Sequence, residues 1–177
     1  MDYPECVETD SLLLRRWRSD DAQAMRALWS DPDVWAALSG TPDANPRQVA
    51  EASLGRQLGH WDRHGFGLWA VVPHGERAPV GWAGAWFQDV APALDGEIEI
   101  GWTLRRSFWG RGLATEAASA AVATAFELLS PGRLISLIAP ANERSAAVAG
   151  RLGMRQDSET RSRTGLPLRV FALAPGA

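Results

Sequence analysis

Residues 97–116 read Glu97-Ile-Glu-Ile-Gly-Trp102-Thr-Leu-Arg-Arg-Ser-Phe-Trp-Gly110-Arg-Gly-Leu-Ala-Thr-Glu116, a strand, a turn and a helix start in twenty positions. Glu97 to Trp102 alternates with period two, so Glu97, Glu99 and Gly101 share one strand face. A turn with Gly110 and Gly112 follows, and an alanine-rich helix runs from about Leu113 to Leu129. The first amides of a helix have no internal partner, and its dipole adds about half a positive charge there. Glycines let the backbone come close to a ligand, so these amides can surround a pyrophosphate, with Arg111 adding a formal charge. The same spacing also fits a tight turn that needs only glycine backbone angles, and spacing by itself leaves both open. It is not the dinucleotide fingerprint, because Thr115 stands where that pattern needs a small residue and no acidic residue follows at a strand end.

On the N-terminal side, Leu12 to Trp17 reads as a first strand, and Ser19 or Asp20 can cap a helix reaching Trp29. Asp31-Pro32 breaks it, a short helical piece covers about Val34 to Leu38, and Asn45-Pro46 starts a helix reaching Arg63. Leu68–Val72 and Val80–Phe87 form a hairpin around the turn-rich residues 74–79. On the C-terminal side come a strand over Arg133–Ile138, a helix over Glu143–Leu152 closed by Gly153, and strands over Met154–Arg161 and Leu168–Ala174. The order β-α-α-α-β-β-β-α-β-α-β-β implies an α/β (α+β) fold in one domain over 1–177, a mixed sheet with helices on both faces.

Composition narrows the chemistry. The chain has 177 residues, 46% hydrophobic and 22% charged, enough for a real core. A net charge of −3 argues against nucleic acid as the main partner, and no stretch is apolar enough to span a bilayer or serve as a signal peptide. A cytoplasmic location is the expectation. The 18 basic residues are all arginine, which excludes a P-loop lysine and a Schiff base. Cys6 is the one cysteine, so neither an internal disulfide nor a cysteine zinc site is available. His60 and His64 have a zinc-pair spacing, but Trp61 occupies the position of a metalloprotease glutamate, and no metal is expected.

A second segment, Ala141-Asn142-Glu143-Arg144-Ser145, leads a helix that ends in Leu152-Gly153-Met154. Asn142 alone reads as a helix cap. Taken with Glu99-Ile-Gly101-Trp and Trp109-Gly-Arg-Gly-Leu-Ala-Thr-Glu-Ala117, it resembles the GNAT superfamily of acetyl-CoA-dependent N-acetyltransferases, most closely the ribosomal-protein-alanine/serine N-acetyltransferase type. The resemblance covers nearly the whole chain in order of elements. It implies a mostly antiparallel sheet of about seven strands, splayed between the fourth (Glu97–Trp102) and the fifth (Arg133–Ile138).

It also implies roles. The amides of Trp109, Gly110, Arg111, Gly112, Leu113 and Ala114 would hold the CoA pyrophosphate. Ser107 stands where the family usually has Gln or Arg. Trp102, Thr103 and Leu104 would pair with the pantetheine arm, and Asn142 would lie close to the cofactor. Amide formation needs a neutral amine, and Glu99 is the candidate base through a water, with Glu97 as the alternative. Both glutamates also fit a solvated strand face. The leaving thiolate needs a proton, and with no tyrosine beyond Tyr3, Ser145 is the available hydroxyl. Ser145 equally fits a first-turn residue paired with Asn142. Acetyl-CoA is the implied co-substrate and a small-molecule or peptide amine the acceptor, one that the acidic strand face would favour as a cation. Trp35 and Trp86 are the candidate walls of its pocket. Arg105 or Arg106 would approach a CoA phosphate. A monomer or homodimer fits equally. The competing class is a non-catalytic acyl-CoA-binding or regulatory domain of the same fold.

Overall fold

The computed structural model describes residues 3–38 and 45–176. Eight strands form one sheet: β1 (Cys6–Glu8), β2 (Leu12–Arg15), β3 (Leu68–Pro73), β4 (Gly81–Phe87), β5 (Ile98–Leu104), β6 (Leu134–Ile138), β7 (Arg155–Arg161) and β8 (Pro167–Leu173). They lie in the order β1-β2-β3-β4-β5-β6-β8-β7, antiparallel except between β5 and β6. The short β1, paired with β2, is the strand that the sequence reading lacks.

Among the described residues five helices cover the sheet: α1 (Ala22–Trp29), α2 (Pro32–Ala37), α3 (Pro46–His64), α4 (Leu113–Leu129) and α5 (Glu143–Arg151). On one face α4 presents Ala117, Ala118, Ala121 and Ala125, all fully buried, to Trp69, Val71, Ala83, Ala85 and Ile100. Methyl side chains at that spacing let the helix axis approach the strands closely. On the other face Trp17, Met25, Leu28, Val34 and Leu54 gather α1, α2 and α3 over Ala70. Ile138, Ala149, Met154, Phe171 and Leu173 form a smaller core under α5.

The start of α1 differs from expectation. A single 3-10 turn over Ser19–Asp21 comes first, and the helix begins at Ala22. The carboxylate of the buried Asp21 is taken by both guanidinium nitrogens of Arg15, each at 2.7 Å, and by the Arg18 N–H at 2.9 Å. Asp31 and Asn45 do cap, accepting from the backbone N–H of Asp33 and of Arg47, each with proline next in the chain.

β4 and β5 run side by side over seven residue pairs, from Gly81–Leu104 to Phe87–Ile98. β5 and β6 pair only at Ile98–Leu134 and Glu99–Ile135 and then part. The far edge of β5 beyond Glu99 therefore has no strand partner, although the Leu104 carbonyl accepts the Trp109 indole N–H at 2.6 Å, and an opening forms in the middle of the sheet. Among the described residues no helix is long and apolar enough to cross a membrane.

Candidate functional site

Two cavities occupy that opening. The larger, about 910 Å³, lies between the end of β5, the glycine turn and the starts of α4 and α5. Gly110 and Gly112 both take left-handed backbone angles, φ 74° and 81°, which a side chain adopts only under strain. Gly112 caps α4 without a side-chain hydrogen bond. Turn bonding stops at the Trp109 N–H to Arg106 O bond and resumes at Glu116 N–H to Gly112 O. The amides of residues 110–115 are thus left without a described partner at the positive end of a 17-residue helix. The space above them is open, since a Cβ at Gly110 or Gly112 would meet nothing within 4 Å. This donor set fits a pyrophosphate.

Trp102, Thr103, Leu104, Trp109, Leu113 and Ala114 line the cavity beside these glycines. The Arg111 side chain lies off the wall, its guanidinium 5.3 Å from the Phe108 ring, so only its amide belongs to the turn. Arg105 also packs over Phe108, and Arg106 is the member of that pair on the wall. Sequence reasoning missed two further cations there, Arg144 and Arg151. Arg106 and Arg144 each stand about 5 Å from the Trp109 ring, at 5.2 and 5.0 Å, and their charge favours an anionic ligand.

The smaller cavity, about 310 Å³, opens on the α1–α3 side of the sheet. Glu99 stands in its wall, only 9% exposed. Trp86, its cross-strand partner, donates its indole N–H to Glu99 Oε2 at 3.3 Å, and the Leu137 N–H of the parted strand β6 reaches Oε1 at 3.4 Å. Burial outweighs these two long bonds and pushes the carboxyl up to about 7. Glu97 is placed differently: Arg133 pairs with it at 2.7 Å, and it is absent from the cavity wall. The expected acidic face is therefore one neutralised glutamate and one buried carboxyl. Gly101 keeps the floor open, since a Cβ there would stand 3.0 Å from the Trp82 ring.

Of the two tryptophans expected at the acceptor pocket, Trp86 lines this cavity and Trp35 does not. The Trp35 indole N–H donates to the Trp29 carbonyl and its ring packs edge-on against Trp29 at 5.5 Å. Trp29, Trp82 and Trp102 are the other tryptophan walls. The helix break at Asp31-Pro32 sets which of Trp29 and Trp35 faces inward, and sequence periodicity does not cross such a break.

Trp102, Asn142 and Ser145 border both cavities, which meet where the strands part. Asn142 accepts the Ser145 N–H at 3.0 Å, capping α5, and donates its side-chain N–H to the Ala37 carbonyl at 3.0 Å. The Ser145 hydroxyl thereby sits in a fixed first turn at the junction. His60 and His64 face each other at 4.5 Å, and burial lowers His60 to about 4. Among the described residues no group of three or more potential ligands could hold a metal ion.

Residues 11–155 match the family described as the acetyltransferase (GNAT) domain. An uncharacterized protein of Bacillus subtilis, YkkB, is 30% identical over 169 residues, 92% of each chain. The crystal structure of an acetyltransferase from Agrobacterium tumefaciens superposes with a TM-score of 0.80 at 29% identity, covering 95% of this chain and 93% of that one. A ribosomal-protein-S5-alanine acetyltransferase from Vibrio fischeri shares the fold, with a TM-score of 0.75 at 18% identity over 97% of each chain. The parted central strands, the glycine turn and these likenesses agree: the chain belongs to the GNAT acetyltransferase family, whose members take the acetyl group from acetyl-CoA.

Proposed function

We propose that this chain, acting as one catalytic domain, moves the acetyl group of acetyl-CoA directly onto a primary amine. The observation that carries this reading is a buried carboxyl, Glu99, poised near neutrality in a cavity that shares Trp102, Asn142 and Ser145 with the glycine-turn cleft. The turn amides of residues 110–115 hold the pyrophosphate, and Arg106, Arg144 and Arg151 add positive charge at the cleft. The edge of β5 at Trp102–Leu104, which has no strand partner on that side, aligns the pantetheine arm, and a backbone amide there polarises the thioester oxygen.

The acceptor enters from the other cavity. Glu99 takes the ammonium proton through a water, the neutral nitrogen attacks the thioester carbon, and the C–S bond breaks. CoA leaves as a thiolate and takes a proton from the Ser145 hydroxyl, which is restored by the second proton that the acetylated nitrogen gives up, carried through water. A base with a pKa near 7 is half ionised at neutral pH, which suits this step better than an ordinary glutamate would.

Calorimetric titration with acetyl-CoA, with free CoA as comparison, tests the reading. Micromolar binding of both, with thiol release on adding a primary amine, is the expected result. No heat and no thermal stabilisation would make the turn structural and remove the cofactor assignment.

A further inference from the structure

The acceptor cavity carries a charge pattern opposite to the one its strand suggests. Its walls are mainly apolar: the indoles of Trp29, Trp82 and Trp86, with Leu68, Val90 and Leu168 beside them. Only two charged side chains line it among the described residues, Glu99 and Arg56. Glu99 is committed to the amine. Arg56 is exposed on α3, makes no ion pair with a described residue, and holds its guanidinium 5.8 Å from the Trp86 ring centroid. The same indole donates its N–H to Glu99. One flat ring thus touches both the base and the free cation.

We infer that the acceptor is a compact monoamine with an apolar, ring-sized body and one anionic group, its nitrogen at Glu99 and its anion at Arg56. This deepens the acetyl-transfer reading and rests on it. A volume of about 310 Å³ suits a small molecule or the end of a larger one. Flat indole walls favour an aromatic or branched aliphatic body. A second cation on the acceptor would find no free carboxylate among the described walls and would face Arg56. A ring-sized body between the two charged groups places the anion several bonds from the nitrogen. Arg56 is on the rim, where a single ion pair is worth little, so the preference it confers is about fivefold rather than absolute.

Three benzylamines of one shape test this. They are para-(aminomethyl)benzoate, para-(aminomethyl)benzamide and para-(aminomethyl)benzamidine, which carry a negative, a neutral and a positive group. Acetyl-CoA-dependent thiol release is followed for each at low salt. The expected order of kcat/KM is carboxylate, carboxamide, amidine, with about fivefold between the first two, expressed in KM and reduced by added salt. Arg56→Gln is expected to bring the carboxylate down to the carboxamide level, and Arg56→Lys to retain part of the difference. A preference for the amidine, a ratio that survives Arg56→Gln, or no turnover of any of the three by protein that binds acetyl-CoA would each overturn the proposal. Failure to bind acetyl-CoA at all would instead overturn the acetyl-transfer reading beneath it.

Discussion

The two cavities meet at Trp102, Asn142 and Ser145 but are made of different material. The cofactor cleft is largely backbone: left-handed glycines, unpaired amides and a strand edge, with arginines around it. The acceptor cavity is side chain, gathered from α1, α3, β4, β5, β6 and β8. A backbone cradle recognises a constant feature, a pyrophosphate, and holds it whatever the neighbouring side chains are. An indole-walled cavity recognises whatever its side chains happen to outline, and a single substitution can redirect it. The contrast explains how one fold serves many acceptors.

The sharpest way to break the cleft alone is Gly112→Val. The turn needs φ 81° there, and a β-branched residue adopts that angle only under strain of about 1–3 kcal/mol. No atom within 4 Å would clash with the new Cβ, so damage comes from the altered turn and from a side chain in the ligand's space. Acetyl-CoA affinity is expected to fall about a hundredfold, the equivalent of two decades in Kd. An unaltered dissociation constant would refute the pyrophosphate assignment.

Glu99→Gln probes the other cavity. Turnover is expected to fall by roughly a hundredfold or more while acetyl-CoA binding stays as it is. With Glu99 as the base, kcat/KM of the native protein is expected to rise with pH through about 7, and the variant to lose that limb. Stability moves the opposite way. The folded carboxyl titrates at about 7 rather than its ordinary 4.5, so the folded state holds a proton that the unfolded chain releases. The group's contribution is complete below pH 4.5 and is lost as pH rises through 7. The glutamine variant is therefore expected to be more stable than the native protein at pH 8, by up to roughly 3 kcal/mol, with no advantage below pH 4.5. Equal melting temperatures at both pH values would mean that Glu99 is not buried as a carboxyl.

The same contrast governs what could be read from the sequence. The period-two alternation around Glu99, the glycine turn and the buried alanines of α4 are local patterns, set within a few residues of one another, and each lies where its pattern places it. β1 was not legible because three residues, Cys6–Glu8, are too few to show a period. α1 starts after the expected Ser19 or Asp20 cap, where the Asp21 carboxylate is held by the Arg15 guanidinium of the preceding strand, six residues away. Glu97 and Glu99 look equivalent in the strand; Arg133, 36 residues away, separates them. Arg56 and Trp29 carry no local signal, since only packing turns them toward the cavity.

The smallest expected effect tests whether the two cavities are independent at all. α2 contributes Val34 to the cofactor cleft and Ala37 to both cavities. It is tied at one end by Asp31, which caps it through Oδ1 at 3.1 Å and accepts the Arg106 N–H through Oδ2 at 2.8 Å, just before the glycine turn. It is tied at the other by Asn142, which donates to the Ala37 carbonyl. Asp31→Ala removes a helix cap, worth about 1 kcal/mol, and one of the two ties. A loosened α2 touches both ligands, so a few-fold loss of acetyl-CoA affinity should accompany a similar rise in the acceptor KM. Asp31→Asn keeps one acceptor oxygen, enough for the cap or for the Arg106 N–H but not for both, and is expected to restore only part of each loss. A loss confined to acetyl-CoA would mean that α2 belongs to the cleft and that the acceptor cavity is set without it; equal losses in both would make the short helix a shared wall.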